Sequence, residues 1–316
     1  MSTPASASDL VSASTDVRGR LVENLTRVVK LPSEAIEPLI CGLAAGGHML
    51  VEGIPGIGKT LLARTLAACI DGTFRRVQFT NDLMPSDVIG SSIWQQDTGT
   101  FRFIEGPLFA NLVLADEINR TSPRTLSCLL EAMENGRVSV DGTSHELGRP
   151  FTVLATRNPI EFHGTFPVPE AALDRFLVRV ELDYPDPQFE LELYTGHDAE
   201  ASLASIEPVM TPAELDALQR SVAAVAVAPP VAEYALRVVQ ATRAHPDVQL
   251  GASPRAALAW LKTARARALL DGRDFVLPDD LKQLARSTLA HRVFVRPGVD
   301  AFAIVDAAVD SVTVPL

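Results

Sequence analysis

A glycine-rich loop carries the most specific chemistry in the sequence. Residues 53–60 read GIPGIGKT and match the pattern G-x-x-x-x-G-K-[ST] without deviation. In such a loop, glycines let backbone N–H groups converge on phosphate oxygens, Lys59 reaches the β- and γ-phosphates, and Thr60 offers its hydroxyl to Mg²⁺. The residues predicted to bind a nucleotide here are Gly53, Ile54, Pro55, Gly56, Ile57, Gly58, Lys59, Thr60 and Leu61.

An acidic pair, Asp116-Glu117, follows the apolar run 112–115. At the end of a strand such a pair is often only a solvated turn. Beside a phosphate loop, however, two carboxylates have the chemistry that phosphoryl transfer requires. Asp116 is predicted to join Thr60 as a ligand of Mg²⁺, and Glu117 is predicted to orient and deprotonate the attacking water. ATP and Mg²⁺ are therefore the predicted cofactors.

Alternating strands and helices must position these residues. Short apolar runs predict buried strands at 48–52, 74–79, 112–115 and 151–156. Helices are predicted within 16–46, at 60–70, and after Ser122, where Pro123 takes the first helical position. Two inserted hairpins are predicted at 91–104 and 138–147. The alternation predicts an α/β fold, with a parallel sheet and helices on both faces.

The chain divides into three predicted segments. Residues 1–15 are polar and predicted to be a disordered tail, and residues 16–185 form the α/β core. The stretch Tyr-Pro-Asp-Pro at 184–187 breaks the alternating pattern. Residues 186–316 are predicted to form a small all-α lid, with helices at 212–226, 230–244, 254–270 and 278–291.

Composition excludes several classes of protein. The net charge of −11 is spread along the chain and leaves no basic platform, which disfavours nucleic acid as a partner. No apolar run approaches the ~20 residues of a membrane span, so membrane insertion is not expected. The start lacks the features of a signal peptide, and Cys41, Cys69 and Cys128 have no metal-site spacing. A cytoplasmic location is expected.

Together these residues resemble the AAA+ ATPases, and longer strings narrow the resemblance to the MoxR family. The strings are QFTNDLMPSDVIG (78–90), FRFIEGPLFANLVLADEINR (101–120), LLEAMENGRVSVDG (129–142), ATRNPIEFHGTFPVPEAALDRFLVRV (155–180) and GASPRAALAWLKTARARALLDGRDFVLPDDL (251–281). The resemblance implies an AAA+ P-loop module followed by a helical lid. It also implies that Asn158 contacts the γ-phosphate or the lytic water, that Arg175 reaches the ATP of a neighbouring subunit, and that Arg255 contacts nucleotide from the lid.

Each of these three residues also has an ordinary structural explanation. Asn158 could simply end a strand, Arg175 could pair with an acidic neighbour on a helix, and Arg255 could form a surface salt bridge. Two departures from the commoner family pattern, Arg157 and the pair Phe162-His163, lie beside Asn158. They cast doubt on contacts with a neighbouring subunit more than on ATP binding.

The family resemblance also implies partners. Subunits would form a homo-oligomeric ring, a hexamer, with ATP between the α/β domain and the lid. Hydrolysis would drive chaperone-like remodelling or maturation of a protein client, together with a von Willebrand factor A domain protein. The alternatives are an AAA+ nucleic-acid motor, a P-loop small-molecule kinase and a nucleotide-gated scaffold with negligible turnover. Trp94, in the first hairpin, either contacts a partner or packs against the body of the protein.

Overall fold

The computed structural model describes residues 7–29, 31, 33–159, 165–185, 187–195 and 198–315. The strands are β1 (His48–Gly53), β2 (Phe74–Gln78), β3 (Gly90–Gln95), β4 (Thr100–Glu105), β5 (Leu112–Asp116), β6 (Arg137–Val140), β7 (Thr143–Glu146), β8 (Thr152–Arg157), β9 (Phe176–Leu182), β10 (Val248–Leu250) and β11 (Phe294–Val295). The helices are α1 (Ala7–Val28), α2 (Ser33–Ala44), α3 (Lys59–Ala68), α4 (Pro85–Ile89), α5 (Pro123–Asn135), α6 (Glu170–Leu173), α7 (Pro187–Tyr194), α8 (Ala199–Ala204), α9 (Pro212–Val222), α10 (Pro229–Ala244), α11 (Pro254–Leu270), α12 (Pro278–Leu289) and α13 (Ala301–Ser311).

A five-stranded parallel sheet lies at the centre, in the order β2-β5-β8-β1-β9. Strands β1, β2, β5 and β8 each lie within one residue of the predicted bounds. The sequence patterns do not predict the edge strand β9, because Arg179 and Glu181 interrupt its apolar residues. The predicted α/β fold with a parallel sheet is confirmed.

Helices cover both faces of the sheet because successive side chains of a strand point to opposite faces. Met49 and Val51 of β1 join an apolar cluster with α1, α2 and α3. Leu50 lies on the other face, in a cluster with α4 and α5. The first cluster continues into α9–α13, so the two predicted domains share one apolar core on this face. The boundary between residues 185 and 186 stays a prediction.

The predicted disordered tail is wrong for residues 7–15, because α1 begins at Ala7. The alanine and serine residues of this segment are compatible with a helix, and Ser14 is buried against the C-terminal part of the chain. Its Oγ donates to the carbonyl oxygen of Leu269 in α11 at 2.7 Å. The helix therefore ties the start of the described chain to the lid. Residues 1–6 lie outside the described residues.

The C-terminal part of the chain is mainly helical, as predicted. Helices α9, α10, α11 and α12 correspond to the four predicted helices. Trp260 of α11 is fully buried, and its Nε1 donates to the carbonyl oxygen of Leu281 in α12 at 2.8 Å. The patterns do not predict α7, α8, α13 or the short antiparallel pair β10–β11, so the lid is not purely helical.

Both predicted hairpins are present. Strands β3 and β4 pair around the turn at 96–99, and β6 and β7 pair around Asp141-Gly142. Asp141 and Gly142 both have positive φ, as the predicted two-residue turn requires. Phe103 of the first hairpin stacks on His145 of the second at 3.8 Å between ring centroids, so the two insertions contact each other.

A partly buried histidine, His48, lies at the amino end of β1. Its Nδ1 accepts from the backbone N–H of Val153 at 3.0 Å, and its Nε2 lies 2.9 Å from the carbonyl oxygen of Met133. This arrangement fits the neutral ring with the proton on Nε2, because a second proton would face the Val153 N–H. Burial lowers the pKa of His48 from 6.5 to about 4.

We expect His48 to make the fold acid-sensitive. Above pH 6.5 the ring is neutral in both folded and unfolded chains, so it contributes no pH dependence. Below pH 6.5 His48 is protonated in the unfolded chain, whereas in the folded chain it stays neutral down to about pH 4. The free energy of unfolding should therefore fall by about 2 kcal/mol between pH 7 and pH 5 through this group.

Urea unfolding at pH 7 and pH 5 measures this dependence. The His48→Gln variant should lose stability at pH 7 but show a flatter change between the two pH values. The matched control is His145→Gln, on the hairpin β6–β7, which should keep the wild-type difference. An unchanged pH dependence in His48→Gln would show that another group is responsible.

Candidate nucleotide-binding site

The glycine-rich loop connects the carboxyl end of β1 to the start of α3. Gly56 and Gly58 have φ of 85° and 91°, a backbone conformation that other L-residues rarely adopt. Gly58 is also the N-cap of α3, whose first N–H groups have no partner within the helix. The loop therefore has the conformation of an anion-binding turn, placed at the N-terminus of a helix whose dipole favours anions.

Lys59 lies inside this loop. Its side chain is buried, and its Nζ donates to the carbonyl oxygens of Gly53 and, at 3.2 Å, of Ile54. A buried ammonium group at the N-terminus of α3 adds to the positive potential of the helix end. The predicted phosphate-binding lysine is thus positioned by its own loop.

Asp116, at the carboxyl end of β5, is brought next to this loop. The carboxylate is buried, its Oδ1 accepts from Thr156 Oγ1 at 2.6 Å, and its Oδ2 accepts from Thr60 Oγ1 at 3.3 Å. Hydroxyl and carboxylate oxygens are the ligands that Mg²⁺ prefers, with phosphate and water oxygens completing the octahedron. The residues present therefore fit a Mg²⁺ ion, which Thr60 and Asp116 would hold.

Arg76 of β2 also binds Asp116, which the sequence patterns do not predict. Its Nε and Nη2 lie 3.1 and 2.7 Å from Asp116 Oδ2, and Nη2 also donates to Gln78 Oε1 at 2.7 Å. The spacing of the polar residues in β2 is the sequence feature that points to this contact. Arg76 and Gln78 are two positions apart on a strand that pairs with β5, so both side chains lie on one face beside the acidic pair.

Glu117 adopts an unusual backbone conformation, with φ of 59°. Such left-handed residues are costly for anything but glycine and concentrate at functional sites. Its N–H donates to Thr156 Oγ1 at 2.9 Å. Its Oε2 accepts from Gln78 Nε2 at 3.0 Å and from Arg120 Nη1 at 3.3 Å. The predicted general base is therefore held at the sheet edge by neighbouring polar side chains.

Asn158 follows the carboxyl end of β8, at the same edge of the sheet as the loop and the acidic pair. The residue is buried, and its carbonyl oxygen accepts from Asn119 Nδ2 at 3.1 Å. The preceding Arg157 pairs with buried Glu52 at 2.7 Å, so this departure from the family pattern has a partner within the chain. Phe162 and His163 lie outside the described residues.

Arg175 and Arg255 lie together elsewhere. Arg175 Nη2 donates to Glu134 Oε2 at 2.9 Å. Arg255 is more than half exposed and lies 3.8 Å from the same carboxylate and 3.6 Å from Asp174. The Nε of Arg175 is buried without a hydrogen-bond partner among the described residues. The structure thus brings two of the predicted arginines to one acidic cluster.

This arginine cluster lies at the amino ends of the strands, whereas the loop lies at their carboxyl ends. Arg175 immediately precedes β9, whose first residue, Phe176, pairs with His48 at the amino end of β1. The loop follows the carboxyl end of β1, a six-residue strand that spans roughly 17 Å. Arg255 therefore lies far from the loop of its own chain, and its expected contact with nucleotide stays a prediction, as does the placement of ATP between the α/β domain and the lid.

A cavity of about 720 Å³ opens beside the loop instead. Its walls are mainly apolar and include Val29, Leu31, Ile57, Leu182, Tyr184 and Phe189. Within the described ranges, none of its lining residues comes from α9–α13. The volume and character suit a nucleotide base and sugar. Sequence reasoning misses this cavity, because its walls come from segments that are far apart in the chain.

Two family profiles match the chain. The ATPase family associated with various cellular activities (AAA) matches residues 48–178, and the AAA lid domain matches residues 240–310. The chain is 37% identical to "Chaperone MoxR1" of Mycobacterium tuberculosis, over 92% of this chain and 79% of that protein. It is 31% identical to "Protein MoxR" of Methylorubrum extorquens, over 89% of each. The chain belongs to the MoxR family of AAA+ ATPases.

A solved structure has the same fold as this MoxR-family chain. A crystal structure of a candidate ATPase from Cytophaga hutchinsonii is 34% identical, with a TM-score of 0.84 over 96% of this chain and 98% of that one. The lid profile covers α11, α12 and α13, so the predicted MoxR architecture of core and lid is confirmed. No helix in the described ranges is both long and apolar enough to span a bilayer.

Proposed function

We propose that this MoxR-family chain binds ATP with Mg²⁺ and hydrolyses it. The observation that carries the proposal is the convergence of Lys59, Thr60, Asp116 and Glu117 at one edge of the sheet, around a loop built to receive phosphate. The apolar cavity beside the loop supplies a place for the base.

Each of these residues has a separate role in phosphoryl transfer. Lys59 and the N–H groups of the loop bind the phosphates, while Thr60 and Asp116 hold the cation. Bound Mg²⁺ would neutralise charge on the β- and γ-phosphate oxygens. Glu117 accepts a proton from water at its carboxylate, and Asn158 orients that water or the γ-phosphate from the next strand.

We infer that Arg175 and Arg255 act on the ATP of a neighbouring subunit. Both lie at the edge of the sheet away from their own loop, on a shared partner, Glu134. A ring that places this edge against the next subunit's loop would use both cations, and membership of the AAA+ family supports such an assembly, a hexamer by resemblance. In this geometry Arg255 of the lid and Arg175 of the core contact the same ATP, which is bound by the neighbouring subunit.

The proposed work is chaperone-like remodelling of a protein client. One relative is named a chaperone, which supports this role. The first hairpin carries an exposed aromatic pair, Trp94 and Phe101, in edge-to-face contact at 5.1 Å. This pair favours the partner-contacting alternative for Trp94. A von Willebrand factor A domain protein as co-partner and a cytoplasmic location remain parts of the proposal.

Nucleotide binding tests the first step. Lys59→Met should weaken ATP binding at least about tenfold, because it removes a buried cation that meets the phosphates. Lys282→Met, on α12, is the matched control and should bind ATP like the wild type. Fluorescent-nucleotide titration measures both. Equal affinities in the two variants would remove Lys59 and its loop from the proposed site.

A further inference from the structure

The two carboxylates that the proposed reaction needs are connected by side chains of β2. Arg76 donates to Asp116 Oδ2 through both Nε and Nη2. Nη2 of Arg76 also donates to Gln78 Oε1 at 2.7 Å, and Gln78 Nε2 donates to Glu117 Oε2 at 3.0 Å. The acidic pair is therefore joined through a continuous set of hydrogen bonds that involves neither the phosphate loop nor the arginine cluster.

Arg76 uses the same oxygen that the cation needs. Asp116 Oδ1 is engaged by Thr156, so Oδ2 is the oxygen that faces Thr60, the other predicted Mg²⁺ ligand. A carboxylate oxygen accepts about two hydrogen bonds, and Oδ2 already accepts two from Arg76 and one from Thr60. A guanidinium group and a divalent cation also repel each other at such short range.

Arg76 has room to move away, whereas Asp116 does not. The side chain of Arg76 is 48% exposed and that of Asp116 is 7% exposed. When Arg76 leaves, Gln78 loses the donor to its Oε1, and its amide is no longer fixed toward Glu117. Glu117 keeps its contacts with Arg120 and Thr156 in either case, so the mobile part of this set is the side chain of Arg76.

We propose that Arg76 is a positioning residue that competes with Mg²⁺ for Asp116, and that Gln78 strengthens this competition by holding the guanidinium group of Arg76 in place. The proposal rests on the proposed ATPase function and deepens it.

Cation binding is the direct test. Mn²⁺, which takes the same oxygen ligands, is titrated into the full chain saturated with a non-hydrolysable ATP analogue and followed by electron paramagnetic resonance. In Arg76→Gln the half-saturating Mn²⁺ concentration should fall about threefold to tenfold, the range expected when a half-exposed ion pair no longer competes. Arg75→Gln is the matched control. It removes the same charge from the opposite face of β2 and should titrate like the wild type.

A double-mutant cycle tests the coupling. Gln78→Leu should by itself lower the half-saturating concentration less than Arg76→Gln, and the two effects should be non-additive, because Gln78 acts through Arg76. Arg76→Lys keeps the charge but loses the two-point contact, so it should give an intermediate value. Thermal melts establish that each variant is folded.

The outcomes separate the two proposals. An unchanged or raised half-saturating concentration in folded Arg76→Gln and Arg76→Lys overturns the competition, while additive effects overturn the role of Gln78. A wild-type chain that binds neither the analogue nor Mn²⁺ in its presence contradicts the ATPase function itself.

Discussion

Replacing Glu117 with glutamine should leave ATP bound and lower phosphate release by about 10² to 10⁴-fold. Glutamine keeps the size of the side chain and an oxygen that can accept from Gln78, but it cannot take a proton from water. The left-handed backbone at residue 117 and the bond from its N–H to Thr156 depend on the main chain, so the site should stay assembled. Steady-state phosphate release and nucleotide titration measure the two halves of this expectation.

The matched control for this change is Glu233→Gln. Glu233 is an exposed acid on α10 that pairs with Arg237, so its substitution removes the same charge far from the loop. Its hydrolysis rate should equal that of the wild type. Unimpaired phosphate release by Glu117→Gln would remove Glu117 from the mechanism and leave the acidic pair with a purely structural role.

Replacing Arg175 with alanine should lower hydrolysis by about 10³-fold or more, the effect of losing a cation at the transferring phosphoryl group. Nucleotide binding should change little, because Arg175 lies at the opposite edge of the sheet from its own loop. Arg237→Ala, which removes an exposed arginine from α10, is the matched control and should keep full activity. Equal rates for Arg175→Ala and wild type would leave Arg175 as a partner of Glu134 only.

Mixing two inactive variants distinguishes action across a subunit boundary from action within one chain. Subunits with Arg175→Ala keep Glu117, and subunits with Glu117→Gln keep Arg175. In randomly mixed rings about a quarter of the boundaries combine a working loop with a working arginine, so activity should return. Absence of rescue at every ratio, in rings shown to exchange subunits, would contradict the shared site.

The sequence predicts those parts of the site that are each contained in a short contiguous segment directly after a strand. The loop, the acidic pair after β5 and Asn158 after β8 each follow an apolar strand, and parallel strands bring their carboxyl ends to one edge. Local patterns are enough to place such residues. The same reasoning does not locate Arg175, because it precedes a strand and so lies at the other edge.

Contacts between distant segments lie beyond such patterns. Arg76 looks like an ordinary polar position in a partly exposed strand until the register with β5 is known. The base cavity is assembled from α1, the loop, the end of β9 and α7, none of which is distinctive alone. The helical start of the chain is missed for a related reason, since the partner that buries Ser14 is 255 positions away.

Helix α1 is a single rod of 22 residues, roughly 33 Å long. In its first half, Ser14 donates a hydrogen bond to α11 of the lid, and at its carboxyl end Val28, with the following Val29, forms part of the wall of the cavity beside the loop. A tilt of the lid would therefore be transmitted along α1 to the wall of this cavity. The position of the first helix would then depend on the angle of the lid. Opening the lid would change the shape of the cavity proposed to bind the base.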